Sequence, residues 1–431
     1  MTRHWMIRRK KPRARFSRRL IPAIRVLAVV LLFLSLPARA APAPVSFDQA
    51  RALYDQNKMA EALPLLEQLA ARDRHDARVH AWLADTYRRL GRKDEAISAA
   101  RLALESDSCN SFAHVVLAAE YAPGARPVPF AASDSMWLHL LRAVRCDSTD
   151  GNAWEDVTLE SIRRGEPALR KRSLRMMVES GHLTPAALAY GRWSLRTLPR
   201  NAILITNGDL DTYPTLALQE VEGLRRDVVI AERGLLGAPW FLRFIRDQQG
   251  VPLPFEDSRL DTLSKTDDGR WHTLMVSDRV LRGWLDRKAR GAFERPICFA
   301  VTVDEGFLAS IKEHLQEAGS YWVWRPEAAG GVPDTAAMRA SLEGIRDEEF
   351  TGPWAGPRDR SPVHRLYSKQ VVVNVTGMAV TYADWVIRAG RVAEGERVLE
   401  WVEKFEPKTE LGPVFTQRIA ELRAAEKQRG R

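Results

Sequence analysis

The chain has 431 residues, enough for two or three domains with buried cores, and its apolar (45%) and charged (28%) fractions are ordinary for a globular protein. A formal net charge of +10 suggests a nucleic-acid partner, but residues 1–39 hold eleven Lys and Arg and no acidic side chain. The rest carries 54 basic against 55 acidic groups, which excludes the positively charged groove that nucleic acid requires.

The first 40 residues have the three-part pattern of an export signal. A basic stretch ends near Arg25, an apolar run spans Val26–Leu36, and Ala38 and Ala40 supply small residues ahead of a cut before Ala41. That run of 11 residues is short of the roughly 20 that a spanning helix needs. A cleaved signal is the first expectation and an uncleaved anchor the second, with membrane contact only in the second case. Three cysteines, Cys109, Cys146 and Cys298, are few for a chain built on disulfides. Cys109–Cys146 is the one candidate pair, and buried or half-buried free thiols are the expected state.

From residue 46 to 182 the pattern is helical with a 34-residue period, the tetratricopeptide spacing. The best copy, Ala77–Asn110, places Leu83, Ala84 and Tyr87 on one face, a break at Gly91, and Ala96, Ala100 and Ala103 on the facing stripe. Small residues there let two antiparallel helices approach, while Leu83 and Tyr87 fill the gap between repeats. An earlier copy has Ala50, Leu53, Asn57, Ala62, Leu66 and Leu69 in the matching places. A later one has Leu117, Ala118 and Tyr121, then a Pro/Gly-rich insertion at 123–133 and a second helix at 136–146. A degenerate fourth copy starts at Gly151, with Trp154 and a turn at Gly165.

Residues 183–325 read as a small α/β domain. Apolar runs at 201–208, 227–231 and 296–303 predict buried strands, with helices at 216–224, 240–246 and 307–318 and an edge strand at 321–324. Alternation of this kind predicts a parallel or mixed sheet covered by helices. Residues 252–269 read as a surface excursion and 326–369 as a linker or wrapping segment. Residues 370–431 close the chain with a repeat-like hairpin (Tyr382, Ala383, Val386, Gly390, Leu399, Val402, Pro407) and a charged tail. The expected fold class is therefore α plus α/β, with tetratricopeptide-type repeats flanking the α/β domain.

The segment Asn201-Ala-Ile-Leu-Ile-Thr-Asn-Gly-Asp-Leu-Asp-Thr-Tyr-Pro214 resembles one in a group of multi-spanning bacterial membrane proteins related to protein O-mannosyltransferases. The likeness continues through Leu218–Val229, Pro239-Trp240 and Arg295–Val303 to the hairpin at 379–407. In those proteins this region is a soluble C-terminal part. Their catalytic machinery belongs to membrane spans that have no counterpart here, so the resemblance implies an accessory exported domain and carries no sugar-transfer activity. Leu210 stands where that family has Asn, which weakens a polar role for the loop.

Two groups of residues are candidate sites. Asn207, Gly208, Asp209, Asp211 and Thr212 follow the first strand, at the end where open α/β sheets bind ligands, and Asp304 follows the third. Paired carboxylates could hold a divalent cation for a transferase or hydrolase acting on a sugar; the plainer expectation is that they cap the next helix and tie the loop. On the inner face of the repeats, Arg51, Tyr54, Arg78, Asp85, Arg88 and Arg89 could grip a peptide or its terminal carboxylate. Histidines at metal spacing, a nucleophile elbow and a phosphate loop are all missing from the sequence. The expectation is an exported adaptor for protein or glycan-bearing partners of the cell envelope, without nucleic acid, metal or cofactor; a divalent metal enters only under the enzymatic alternative.

Overall fold

A computed structural model describes residues 45–122, 131–260, 273–351, 362–409 and 411–429. The leader, most of the 123–133 insertion and the end of the 252–269 excursion lie outside them. The protein is mostly helical, with one small mixed sheet in its C-terminal part.

Four helical hairpins come first: α1 (Phe47–Asp55) with α2 (Met59–Arg72), α3 (Ala77–Arg89) with α4 (Lys93–Ser106), α5 (Ser111–Glu120) with α6 (Ala131–Cys146), and α7 (Gly151–Arg164) with α8 (Pro167–Glu179). The same junction recurs between them. Asp73, Asp107 and Asp147 each accept the backbone N–H two residues on, and Asp76, Asn110 and Asp150 then cap the next helix. Seven residues after each of Asp73, Asp107 and Asp147, the rings of His80, His114 and Trp154 bond back to the carbonyls of Arg74, Ser108 and Ser148. The small stripe behaves as its composition predicts: Ala84, Ala96, Ala100, Ala103 and Ala113 are fully buried.

One expectation is overturned in this array. Cys109 and Cys146 form a disulfide that joins the ends of the second and third repeats, and only Cys298 is a free, buried thiol. The insertion displaced Cys146 from the sequence period, but both cysteines close a repeat, so stacking brings their Cα atoms to 5.2 Å.

Helix α9 (Pro185–Thr197) leads to the sheet, in which β2 (Val229–Glu232), β1 (Ile203–Thr206) and β3 (Ile297–Ala300) run parallel. β5 (Tyr321–Trp324) and β4 (Leu315–Glu317) complete it antiparallel, in the order β2-β1-β3-β5-β4. Residues 321–324 are therefore interior and not the edge. The helix expected at 307–318 is cut to α13 (Glu305–Ala309), because a turn at Gly319 (φ 113°) folds residues 315–317 back as a strand.

Crossover helices α10 (Asp209–Val221), α11 (Pro239–Asp247) and α12 (Thr273–Ala289) cover the sheet. Helix α10 starts seven residues earlier than its apolar pattern indicated. Helix α12 went unforeseen although Val276, Val280, Leu281, Trp284 and Leu285 give it a buried stripe. The 326–369 segment carries α14 (Thr335–Glu343) and α15 (Asp347–Phe350), docked through the fully buried Met338 and Phe350. A hairpin of α16 (Pro362–Arg388) and α17 (Val392–Phe405), then α18 (Thr416–Arg429), follows.

One core decides where a site can form. Trp154, Val157, Leu174 and Met177 of the fourth repeat share it with Ile203, Ile205, Val229 and Phe299 of the sheet. The last repeat is therefore packed onto the α/β unit, and its inner face meets the C-terminal ends of β1 and β2.

Candidate functional site

On the inner face of the first repeats, Asp85 is buried at 2% exposure and spends both oxygens on partners. Arg88 donates Nε to one oxygen at 2.7 Å, Arg89 donates Nε to the other at 2.8 Å, and the Tyr54 hydroxyl donates as well. Arg89 also lies over the Tyr54 ring, 4.8 Å from its centroid. Burial and then Asp85 keep the Tyr54 hydroxyl protonated well above the usual phenol range. Four of the six expected groove residues thus form one self-satisfied unit. Arg51 and Arg78 stay outside it, exposed, with Arg51 3.6 Å from Asp55 and Arg78 over the Phe47 ring at 4.1 Å.

Sequence reading missed the aromatic row that this unit supports. Trp82 packs edge-on against Phe47 (5.6 Å), Tyr54 (4.6 Å) and Phe112 (5.5 Å), and all four rings remain half-exposed. The signal was available, because Arg78 and Phe112 occupy equivalent repeat positions on the inner face.

The Asp209 loop divides into two roles. Asp211 is 2% exposed and takes the Asn207 N–H at 3.1–3.2 Å on both oxygens, with the Thr302 hydroxyl donating to it from beyond β3. Burial pushes its carboxyl up to about 6 against those donors. Thr212 pairs its hydroxyl with that of Thr206 at 2.7 Å. Asp304 caps α13 by accepting the Phe307 N–H at 3.0 Å, so it adds no third carboxylate to the loop. Asn207 is exposed at the rim, and Gly208 sits at φ 96°, ψ −167°, a conformation that only glycine adopts freely. The Gly208 N–H donates to Glu232 at the end of β2, at 3.2 Å.

Asp209 points elsewhere. Its electrostatic neighbours are Glu155, Glu232, His182 and Asp211, and it makes no hydrogen bond or ion pair with the described residues. Asp156, on the inner face of α7, is likewise unpaired and faces Glu155, Arg88, Asp150 and Asp209. Both residues are exposed. Partial desolvation by the surrounding protein, and then like charge, pushes Asp156 up to about 7 and Asp209 up to about 6. Gly151 makes this arrangement possible: a Cβ there would fall 2.2 Å from His182, whose ring packs on the start of α7 and holds Glu155 at 2.7 Å. Glu155, Asp156, Asp209 and Glu232 are therefore electrostatic neighbours. Among the described residues no group of three or more His, Cys, Asp or Glu is placed to hold a metal ion. Two cavities lie elsewhere, one of about 440 Å³ beside Tyr382 and Trp401 and one of about 660 Å³ at the Asn57 turn.

Two family models match parts of the chain. Residues 47–110 match the tetratricopeptide repeat. Residues 187–268 match TMEM260-associated domain 2, a stretch that includes β1, the Asp209 loop, α10 and β2. No curated protein matches the chain. Tetratricopeptide repeats present surfaces for protein partners, so the N-terminal array supports a scaffold role.

Proposed function

We propose that the protein is an exported scaffold that holds a segment of a partner protein along the inner face of its repeats in the cell envelope. The observation that carries this reading is the half-exposed row Phe47–Tyr54–Trp82–Phe112, braced from behind by the Asp85 unit and flanked by exposed Arg51 and Arg78. Rigid aromatic and Arg side chains bind partners at low entropic cost. Export is supported by the leader pattern and by the Cys109–Cys146 disulfide, a bond that persists in oxidising compartments. No helix among the described residues is long and apolar enough to cross a membrane.

The test is a photo-crosslinking residue placed in living cells at Arg51 or Arg78 on the inner face, or at Leu102, an exposed position on the other helix layer. The reading predicts one shared adduct from the two inner positions and none from Leu102. Equal labelling at all three positions, or none at any, contradicts it.

A further inference from the structure

We propose that the cavity of about 660 Å³ at the Asn57 turn takes a carboxylate, the Asp or Glu side chain of the partner segment that lies on the aromatic row. The proposal rests on the scaffold reading and names the chemistry of that segment. The cavity is walled by the start of α2, with Lys58, Met59 and Glu61, and by the end of α3, with Arg88, Arg89 and Leu90. Arg89 also lies 4.8 Å from the centroid of the Tyr54 ring, so the cavity adjoins the row.

The two arginines are held in place but not used up. Asp85 takes Nε and Nη2 of Arg88, both at 2.7 Å, and Nε of Arg89 at 2.8 Å. A guanidinium has donors on all three nitrogens. Nη1 of Arg88 and an Nη of Arg89 are therefore left without an acceptor among the described residues. Their side chains are 35% and 41% exposed, which keeps those donors within reach of a ligand.

Charge sets the sign of that ligand. Asp85 needs one cation for neutrality and has two. Lys58, exposed and without a side-chain partner among the described residues, adds a third, and Glu61 is the one acid in the lining. Asp85 and Glu61 against these three cations leave a single positive charge, which one carboxylate balances. Guanidinium planes fixed beforehand lose little entropy on binding, and their forks match a carboxylate in shape as well as charge. Leu90, 37% exposed on the same wall, offers apolar surface to the methylene groups of the entering side chain.

The experiment is calorimetric titration of the whole protein at neutral pH with acetyl-tetraglutamate amide, beside acetyl-tetraglutamine amide and sodium phosphate. Wild type should bind tetraglutamate at least about tenfold more tightly than tetraglutamine, as expected for charge-assisted contacts. Arg88→Lys/Arg89→Lys keeps both charges beside Asp85 but removes the forks, and should weaken tetraglutamate by about tenfold. Lys58→Gln should weaken it by about two- to fivefold with an unchanged thermal midpoint, which separates lost binding from lost folding. Arg175→Gln, at an exposed position of α8 outside the cavity, should change nothing. Equal tetraglutamate affinity in wild type, Lys58→Gln and Arg88→Lys/Arg89→Lys overturns the proposal, and so does the absence of binding to wild type. Displacement of tetraglutamate by an equal or lower concentration of phosphate also overturns it, because the cavity would then prefer a tetrahedral oxyanion. Binding that depends on Arg88, Arg89 and Lys58 without a shared crosslink from Arg51 and Arg78 would sink the scaffold reading alone. A shared crosslink without tetraglutamate binding would sink this inference alone.

Discussion

Asp85 and Asp156 stand on the inner face of the same repeat array, in its second and fourth copies, yet their surroundings are opposite. Asp85 is buried with two arginines and a tyrosine directed at it, so its charge is part of the packing. Asp156 is exposed, Glu155, Asp150 and Asp209 near it share its sign, and no described residue bonds to it. A paired carboxylate holds a fold together, whereas an unpaired one among its own kind stores repulsion that a ligand can release. The difference separates a braced part of the array from a part whose like charges are left uncompensated.

The broadest way to disturb both regions is to remove the disulfide between them. Cys109→Ser/Cys146→Ser opens a loop with 37 residues of separation and should cost about 3–4 kcal/mol in urea unfolding under oxidising conditions. A smaller change should break the satisfied region alone. Asp85→Ala strands Arg88, Arg89 and Tyr54 and should lower stability by about 2–3 kcal/mol in the same measurement. Asp156→Asn at pH 8 should instead leave stability unchanged or raise it. If both substitutions destabilise alike, the contrast fails.

Much of the first region was legible in the sequence, because the 34-residue period assigns each residue a place on the repeat and puts Tyr54, Asp85, Arg88 and Arg89 on one face. Their mutual pairing was not legible, since period alone does not say whether neighbouring charges face a ligand or each other. At the sheet, the Asn-Gly-Asp-Leu-Asp-Thr loop stood out, but its two aspartates differ: Asp211 ties the loop, while Asp209 is exposed among like charges. Glu155, Asp156, His182 and Glu232 went unnoticed because they come from separate elements, and two of them sit in the most degenerate repeat. Only the packing of that repeat against the sheet brings them together.

The smallest predicted effect is a reversal of pH dependence. Asp156 binds protons more tightly folded than unfolded, so between about pH 4 and 7 its contribution makes stability fall as pH rises. His139 does the opposite: burial, then His114, Arg142 and Arg101, push it down to about 4, and its Nδ1 partner His114 is shifted down too. The unfolded chain then binds more protons between about pH 4 and 6.5, so this contribution makes stability rise with pH. His139→Gln should remove the loss at the acid end, and Asp156→Asn the loss at the neutral end, as read from urea midpoints between pH 4 and 8.

The central claim, that Asp156 and Asp209 stand among uncompensated like charges, is best tested by a carboxyl-carbon NMR titration of aspartate-labelled protein, assigned with Asp156→Asn and Asp209→Asn. The account predicts midpoints near 7 for Asp156 and near 6 for Asp209. Midpoints in the ordinary aspartate range would contradict it.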